Sequence, residues 1–255
     1  MYRSRSGISV IPRRALTLIE LLVVLVILSA LTGIAVQSIE PLADQARYES
    51  TQETLGNIQD AIVTLPPVRR GNGSLAINGF VSDMGRLPRD LDELLVQPAG
   101  VISFGVQTIA SSSEGLPCGW RGPYLQTTTL PQTGWGTAFV AGFAVDPRDS
   151  TQMVLDTVQA TEPGSGTVLA LPSISLASRA YVDVSITFSS APTAVSIFIP
   201  NPDGTSLTEI SETTPSTLNV FSDIPVGVRL VEADLGSGLE YRYIDVTPGM
   251  ASVPF

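Results

Sequence analysis

The residue whose chemistry stands out is Glu20. It is the only charge in the run Leu16-Thr17-Leu18-Ile19-Glu20-Leu21-Leu22-Val23-Val24-Leu25-Val26-Ile27-Leu28, which follows directly on Arg13-Arg14-Ala15. An ionised carboxylate in hydrocarbon costs several kcal/mol, roughly 2.5 or more, so a residue of this kind is kept there for a partner or a function. Cleavage between Ala15 and Leu16 would supply the partner, because it creates an α-ammonium group near Glu20. A subunit cannot easily fold its own first turn back to join the two charges. A neighbouring subunit can offer its amine, which couples charge neutralisation to assembly in register. Removing one partner of a fully buried pair costs about 3–5 kcal/mol.

Other chemistry is narrowly bounded by composition. The 255 residues contain no histidine, all 14 basic residues are Arg, and Cys118 is the single cysteine. Ser-His, Cys-His and Ser-Lys nucleophile arrangements are therefore absent, as is a nitrogen-and-sulfur set for zinc. No intramolecular disulfide can form, and Cys118 reads as a small buried apolar residue. Carboxylates and hydroxyls remain, so catalysis is the least favoured role and no cofactor is expected. Any metal would be a hard, oxygen-bound ion such as calcium.

The elements that position Glu20 follow from hydropathy. From Leu16 to Val36 the only charge is Glu20, and at about 1.5 Å per residue this run spans roughly the 30 Å of a bilayer core. Arg3, Arg5, Arg13 and Arg14 precede it and no acid does, so the positive-inside tendency places that end in the cytoplasm and the body across the membrane. Without this leader, ten basic residues face 24 acidic ones. Such a body is repelled by nucleic acid and by anionic lipid. Three readings fit the segment: a cleaved signal peptide with Gly33-Ile34-Ala35 as its small-x-small site, a plain anchor, or a filament subunit cut before the apolar run. Glu20 favours the third, since the other two gain nothing from a buried acid.

Beyond the membrane, Tyr48, Leu55, Ile58, Ile62 and Leu65 keep a helical spacing. The expectation is one helix over 16–66, transmembrane over 16–36 and then amphipathic, kinked at Pro41 and ended by Pro66-Pro67. A short helix is expected at Asp90–Leu95. Three patterns follow on either side of it: Ser82-Asp83-Met84-Gly85-Arg86-Leu87-Pro88, Gly119-Trp120-Arg121-Gly122-Pro123-Tyr124-Leu125 and Pro131-Gln132-Thr133-Gly134-Trp135-Gly136-Thr137-Ala138-Phe139. Aromatics beside Gly and Pro suit turns that cap a small sheet.

The junction Arg13-Arg14-Ala15-Leu16-Thr17-Leu18-Ile19-Glu20-Leu21-Leu22-Val23-Val24 resembles the processing motif of type IV pilins and type II secretion pseudopilins. In that family a prepilin peptidase cuts before a hydrophobic residue and N-methylates the new terminus. The resemblance implies Ala15 and Leu16 as the processing site, and Thr17 and Glu20 as assembly residues. Ala15 stands where Gly is usual and Leu16 where Phe is usual. The three later patterns are similar in order and spacing to the globular domain of the major pseudopilin, with Gly134 in the place of an Asp, so the resemblance covers roughly 15–143. It implies an inner-membrane, single-pass protein with its body in the periplasm. Its implied partners are the prepilin peptidase, other copies and minor pseudopilins in a helical filament, and an inner-membrane assembly platform. The family's calcium loop would fall at Val145-Asp146-Pro147-Arg148-Asp149-Ser150-Thr151-Gln152. Asp146 and Asp149 there read as surface acids of a solvated turn, and neither is assigned as a ligand.

After Pro172-Ser173 the pattern becomes short alternating strands: 182–188, 195–199, 217–221, 226–233 and 241–246, with Asn201-Pro202-Asp203-Gly204 as a turn. Phe221-Ser222-Asp223-Ile224-Pro225-Val226-Gly227-Val228-Arg229-Leu230 resembles the final hairpin of transthyretin-like accessory domains. The expected fold is thus α+β. Its parts are a leader over 1–15, the helix over 16–66 packed on a small β-sheet pilin-like domain over 67–172, and a β-sandwich-like extension over 173–255. The expected role is a structural subunit of a pseudopilus or pilus-like filament of a secretion machine. The rival is a membrane-anchored or secreted β-rich adhesin or carbohydrate-binding protein.

Overall fold

The structure, a computed structural model, describes residues 17–63, 68–69, 75–76, 79–110, 112–170, 175–248 and 252–255, with backbone only at 34–40, 68–69, 75–76 and 170. These residues fall into two compact units, one ending at Ala46 and the other running from Arg47 to Phe255. Helix α1 covers Leu18–Ile62 and is helical on both sides of Pro41. Leu65 and Pro66-Pro67 lie outside the described residues, as do the leader, Ala15, Leu16 and Pro172-Ser173.

In the second unit the apolar stripe of α1 is buried where its spacing predicts. Leu55, Ile58 and Ile62 join a core with Phe80, Met84, Leu87 and Leu94. Tyr48 departs from the stripe at 37 % exposure. Its place on the buried face is taken by Thr51, which is fully buried and donates its hydroxyl to the Arg47 carbonyl at 2.7 Å. That bond to the preceding turn lets a polar side chain sit in the core.

Beyond α1 come two short strands, β1 (Val68–Arg69) and β2 (Leu75–Ala76), then helix α2 (Phe80–Met84) and a 3-10 turn at Asp92–Leu94. The short helix expected at Asp90–Leu95 is therefore this single turn. Asp90 caps it by accepting the Glu93 amide at 3.0 Å. Strands β3 (Gly105–Thr108) and β4 (Gly115–Cys118) form a hairpin, and β5 (Val140–Asp146), β6 (Asp149–Thr161) and β7 (Val168–Ala170) form a three-stranded antiparallel sheet. Val154, Leu155, Val158 and Ala160 of β6 pack into the core that holds α1.

Helix α3 (Leu176–Ala180) leads into seven strands: β8 (Tyr181–Thr187), β9 (Ala194–Pro200), β10 (Leu207–Ser211), β11 (Leu218–Pro225), β12 (Gly227–Asp234), β13 (Leu239–Val246) and β14 (Val253–Pro254). They form two sheets, β10-β9-β12-β13 and β11-β8-β14. Val184, Ile186, Ile197, Val231 and Ile244 fill the space between them, which makes a sandwich. The hairpin expected across 221–230 is not formed: β11 pairs with β8, while β12 pairs with β9 and β13. The chain crosses from one sheet to the other at buried Val226, whose amide bonds the Ala180 carbonyl at 2.8 Å.

Strand β9 is buried on both faces, because its outer face carries Phe198 into a small cluster with Ile109, Leu116 and Leu230. Leu176, Ala180, Tyr181 and Val226 also belong to the core that holds α1. The residues after 173 are therefore packed into the same compact unit as those before it.

The third aromatic pattern closes against α1 through Gly134. Its amide donates to the Thr51 hydroxyl at 2.9 Å, and a Cβ added there would meet the Arg47 Cα at 2.7 Å and carbonyl carbon at 2.8 Å. The position that reads as a missing Asp is thus one that backbone contact reserves for glycine. Gly134→Ala is expected to cost about 1–3 kcal/mol by overpacking. A urea or thermal melt of the variant with an unchanged midpoint would contradict this contact.

Candidate functional site

The candidate assembly segment is the start of α1. Thr17 stands just ahead of the helix, and its Oγ1 accepts the Glu20 amide at 3.3 Å, while its carbonyl accepts the Leu21 amide at 3.1 Å. Thr17-x-x-Glu20 has the spacing of a capping box, in which the Thr hydroxyl satisfies one of the orphan amides of the first turn. A carboxylate in that turn also complements the positive end of the helix dipole. The structure thus joins Thr17 and Glu20 in one local device. Ala15 and Leu16, the other two predicted site residues, lie outside the described residues.

Every side chain from Thr17 to Gly33 is exposed, with Leu18 at 84 % and Leu25 at 60 %. The hydroxyls of this stretch are turned inward onto their own helix. Ser29 Oγ donates to the Val26 carbonyl at 2.9 Å and Thr32 Oγ1 to the Leu28 carbonyl at 2.7 Å. This is how hydroxyls are satisfied in surroundings that offer no water. Glu20, in the first turn, is the one charged side chain between Thr17 and Gly33. Among the described residues no helix is long and apolar enough to cross a membrane. The predicted span over 16–36 extends beyond the side chains described, which stop at Gly33 within it.

The other patterns converge on buried polar contacts. Asp83, in α2, is 2 % exposed and accepts Arg121 Nη2 at 2.9 Å and the Tyr124 hydroxyl at 3.2 Å. The first and second patterns therefore meet at one carboxylate. Burial raises its pKa from 3.8 to about 6, outweighing the opposing pull of Arg121, the Tyr124 hydroxyl and Arg229. Trp120 Nε1 donates to the Glu93 carbonyl at 2.9 Å, and its ring meets Tyr124 edge-on at 6.1 Å. These aromatics hold turns together, as their Gly and Pro neighbours imply.

Two buried arginines escaped the sequence reading. Arg86, 1 % exposed, makes a two-pronged ion pair with Glu93 at 2.6 and 3.0 Å and donates Nε to the Pro202 carbonyl at 2.9 Å. Arg229 on β12 is fully buried and donates to five carbonyls, those of Pro225, Val226 and Val228 nearby and of Val81 and Ser82 in α2. Burial brings its pKa down to about 9. The only cue in the sequence was its place in an apolar run, Val226-Gly227-Val228-Arg229-Leu230-Val231, where a solvated side chain would be out of phase. Cys118 is buried as expected, with its thiol pushed up to about 11 by burial.

The calcium-loop candidates are spent separately. Asp146 is 2 % exposed, not a surface acid, and accepts the Arg148 amide at 2.8 Å and the Tyr181 hydroxyl at 3.3 Å. Asp149 opens β6 and accepts the amide and hydroxyl of Thr151. Among the described residues no group of three or more acids or cysteines could hold a metal ion.

With this geometry in place, residues 12–36 match the family model of the prokaryotic N-terminal methylation motif. The chain carries the type IV pilin and pseudopilin signal. The match takes in Ala15, Leu16, Thr17 and Glu20, so it covers both the junction and the capped turn described above. No curated protein and no solved structure matches the chain.

Asp83 has a signature that can be measured. A carboxyl whose folded pKa is raised contributes stability below its unfolded pKa and loses it as pH rises through the folded value. Between about pH 4 and pH 6 the wild type should lose about 2–3 kcal/mol relative to Asp83→Asn. Parallel pH dependence of the two unfolding free energies would show that burial does not dominate at Asp83.

Proposed function

We propose that this chain is a structural subunit of a periplasmic pseudopilus or pilus-like filament of a protein secretion machine. The observation that carries the reading is the methylation motif at 12–36, set on a helix whose apolar side chains are exposed from Leu18 onward. A prepilin peptidase cuts between Ala15 and Leu16 and methylates the new terminus. The helix start lies in the inner membrane, in a single pass, and the body from Arg47 onward lies in the periplasm. Assembly, not catalysis, is its work, and it requires no cofactor.

In the filament, Glu20 of one copy meets the terminal amine of Leu16 of another. Thr17 supports this pairing by capping the turn that presents the carboxylate, which fixes the first turn before the amine arrives. Minor pseudopilins and an inner-membrane assembly platform are the further partners of the same segment. Nucleic acid is not, given the body's excess of acids.

The mature N-terminus tests the reading. Mass spectrometry of the protein from cells with an active prepilin peptidase is expected to show N-methylated Leu16 as the first residue. A start at Val36, or an uncut leader, would sink the proposal.

A further inference from the structure

Strand β5 is an open edge. It lies at one side of the β5-β6-β7 sheet, and among the described residues the backbone bonds of 140–145 go to β6 alone. In an antiparallel strand every second residue turns its N–H and C=O away from its neighbour, so half of these groups are offered outward. Gly142 shows that the main chain is accessible. It has no side chain, yet it is half-exposed, and the space where a Cβ would stand is taken by the Thr157 hydroxyl.

The other described edges are protected in ways that keep sheets from pairing with one another. Strands β1 to β4, β7 and β14 run four residues or fewer. β10 carries Glu209, β13 carries Glu240, Arg242 and Asp245, and β11 is broken by an irregularity at Ser222-Asp223. β5 has seven residues, and from Val140 to Val145 none is charged. Its register with β6 shifts after Gly142, but the extra residue there is Asp156 of β6, so 140–145 runs on without a bulge of its own.

The side chains at this edge are apolar and accessible. Val140 is 59 % exposed, Phe143 49 % and Val145 51 %, and Met153, the register partner of Val145 on β6, is 52 % exposed. Exposed apolar side chains beside unpaired backbone mark an interaction site.

Charge and register point to the occupant. Past residue 15 the chain has 24 acids against ten basic residues, so two copies repel one another over most of their surface. From Val140 to Val145 that repulsion has no local source, and the strand is complementary to itself. Turned end for end, its apolar residues meet apolar residues and its outward donors meet its own acceptors. Phe143 is the middle residue of β5. Pairing centred there uses the whole strand, sets the two Phe143 rings side by side and puts Val145 against Ala141 of the second copy.

We propose that β5 pairs antiparallel with β5 of a second copy of this chain, joining two three-stranded sheets into one of six strands. The contact is isologous and closes with two copies. It is small by the standard of stable interfaces, so it forms and opens reversibly. It lies within the second unit and does not depend on the filament reading.

Disulfide capture of the full chain in detergent tests it. Cys118 is buried, so the wild type is the blank. On mild oxidation Phe143→Cys is expected to link into dimers about fivefold or more above Leu218→Cys, which is as exposed but lies on the irregular edge of β11. Adding Val145→Glu to Phe143→Cys is expected to remove that excess, since it sets like charges into the contact. Helix α1 is unchanged in every variant, so association through it raises all of them alike. An unchanged thermal midpoint shows that a variant is folded, and Val140→Glu replaces Val145→Glu if the latter is not. Linkage at Phe143→Cys no greater than at Leu218→Cys, or an excess that survives the added charge, would overturn the proposal.

Discussion

The structure depends on one unsatisfied surface. From Leu18 to Leu31 the large apolar side chains of α1 are exposed, most of them by about half or more. Burying one such side chain is worth about 1.5–3 kcal/mol, so a run of them in water is untenable for an isolated chain. Lipid or neighbouring helices must cover it. The hydroxyls of Ser29 and Thr32 are already bonded to the helix and leave nothing to specify which cover is chosen. In the proposed filament that choice falls to Glu20, held in a turn capped by Thr17.

The second unit shows a different economy of polar groups. Two arginines and three acids are buried there, and each is answered. Arg86 is answered by Glu93, Asp83 by Arg121 and Tyr124, and Arg229 by five carbonyls. Removing one partner of such a set leaves a buried charge behind, which is why these contacts lock rather than merely adorn the fold. Their placement is informative. Arg86 reaches the Pro202 turn and Arg229 reaches α2, so both tie the sandwich to the segment after α1. Gly85, at φ 68°, lets that segment approach Pro200 to a distance where a Cβ would lie 2.8 Å from its carbonyl. Arg148 is half-buried, with Nη2 reaching the Pro200 carbonyl at 3.5 Å and Nε and Nη1 without a partner.

Much of this was legible in the sequence, for reasons that can be traced. Alternation located β8, β9, β12 and β13 because each has a face in the sandwich, and helical spacing placed Leu55, Ile58 and Ile62 in a core. Strand β6 was missed because Val154 and Leu155 point to opposite faces and both are covered, which erases the period of two. The β5–β6 connection hid its nature in the same way: Asp146-Pro147-Arg148-Asp149 reads as a solvated turn, yet Asp146 is buried beneath Tyr181. Arg86 and Arg229 were illegible since arginine is by default a surface residue. Glu20 was legible because the apolar run around it made the charge conspicuous. Its bond to Thr17 was not, although the Thr-x-x-Glu spacing carried that signal too.

The central claim is that Glu20 serves pairing between copies, not insertion or folding. The direct measurement is the incorporation of Glu20→Ala into filaments when it is produced beside the wild-type chain, scored with its membrane insertion and its processing at Leu16. The account predicts a variant that is inserted, folded and cut but excluded from filaments. Incorporation at the wild-type level would contradict it.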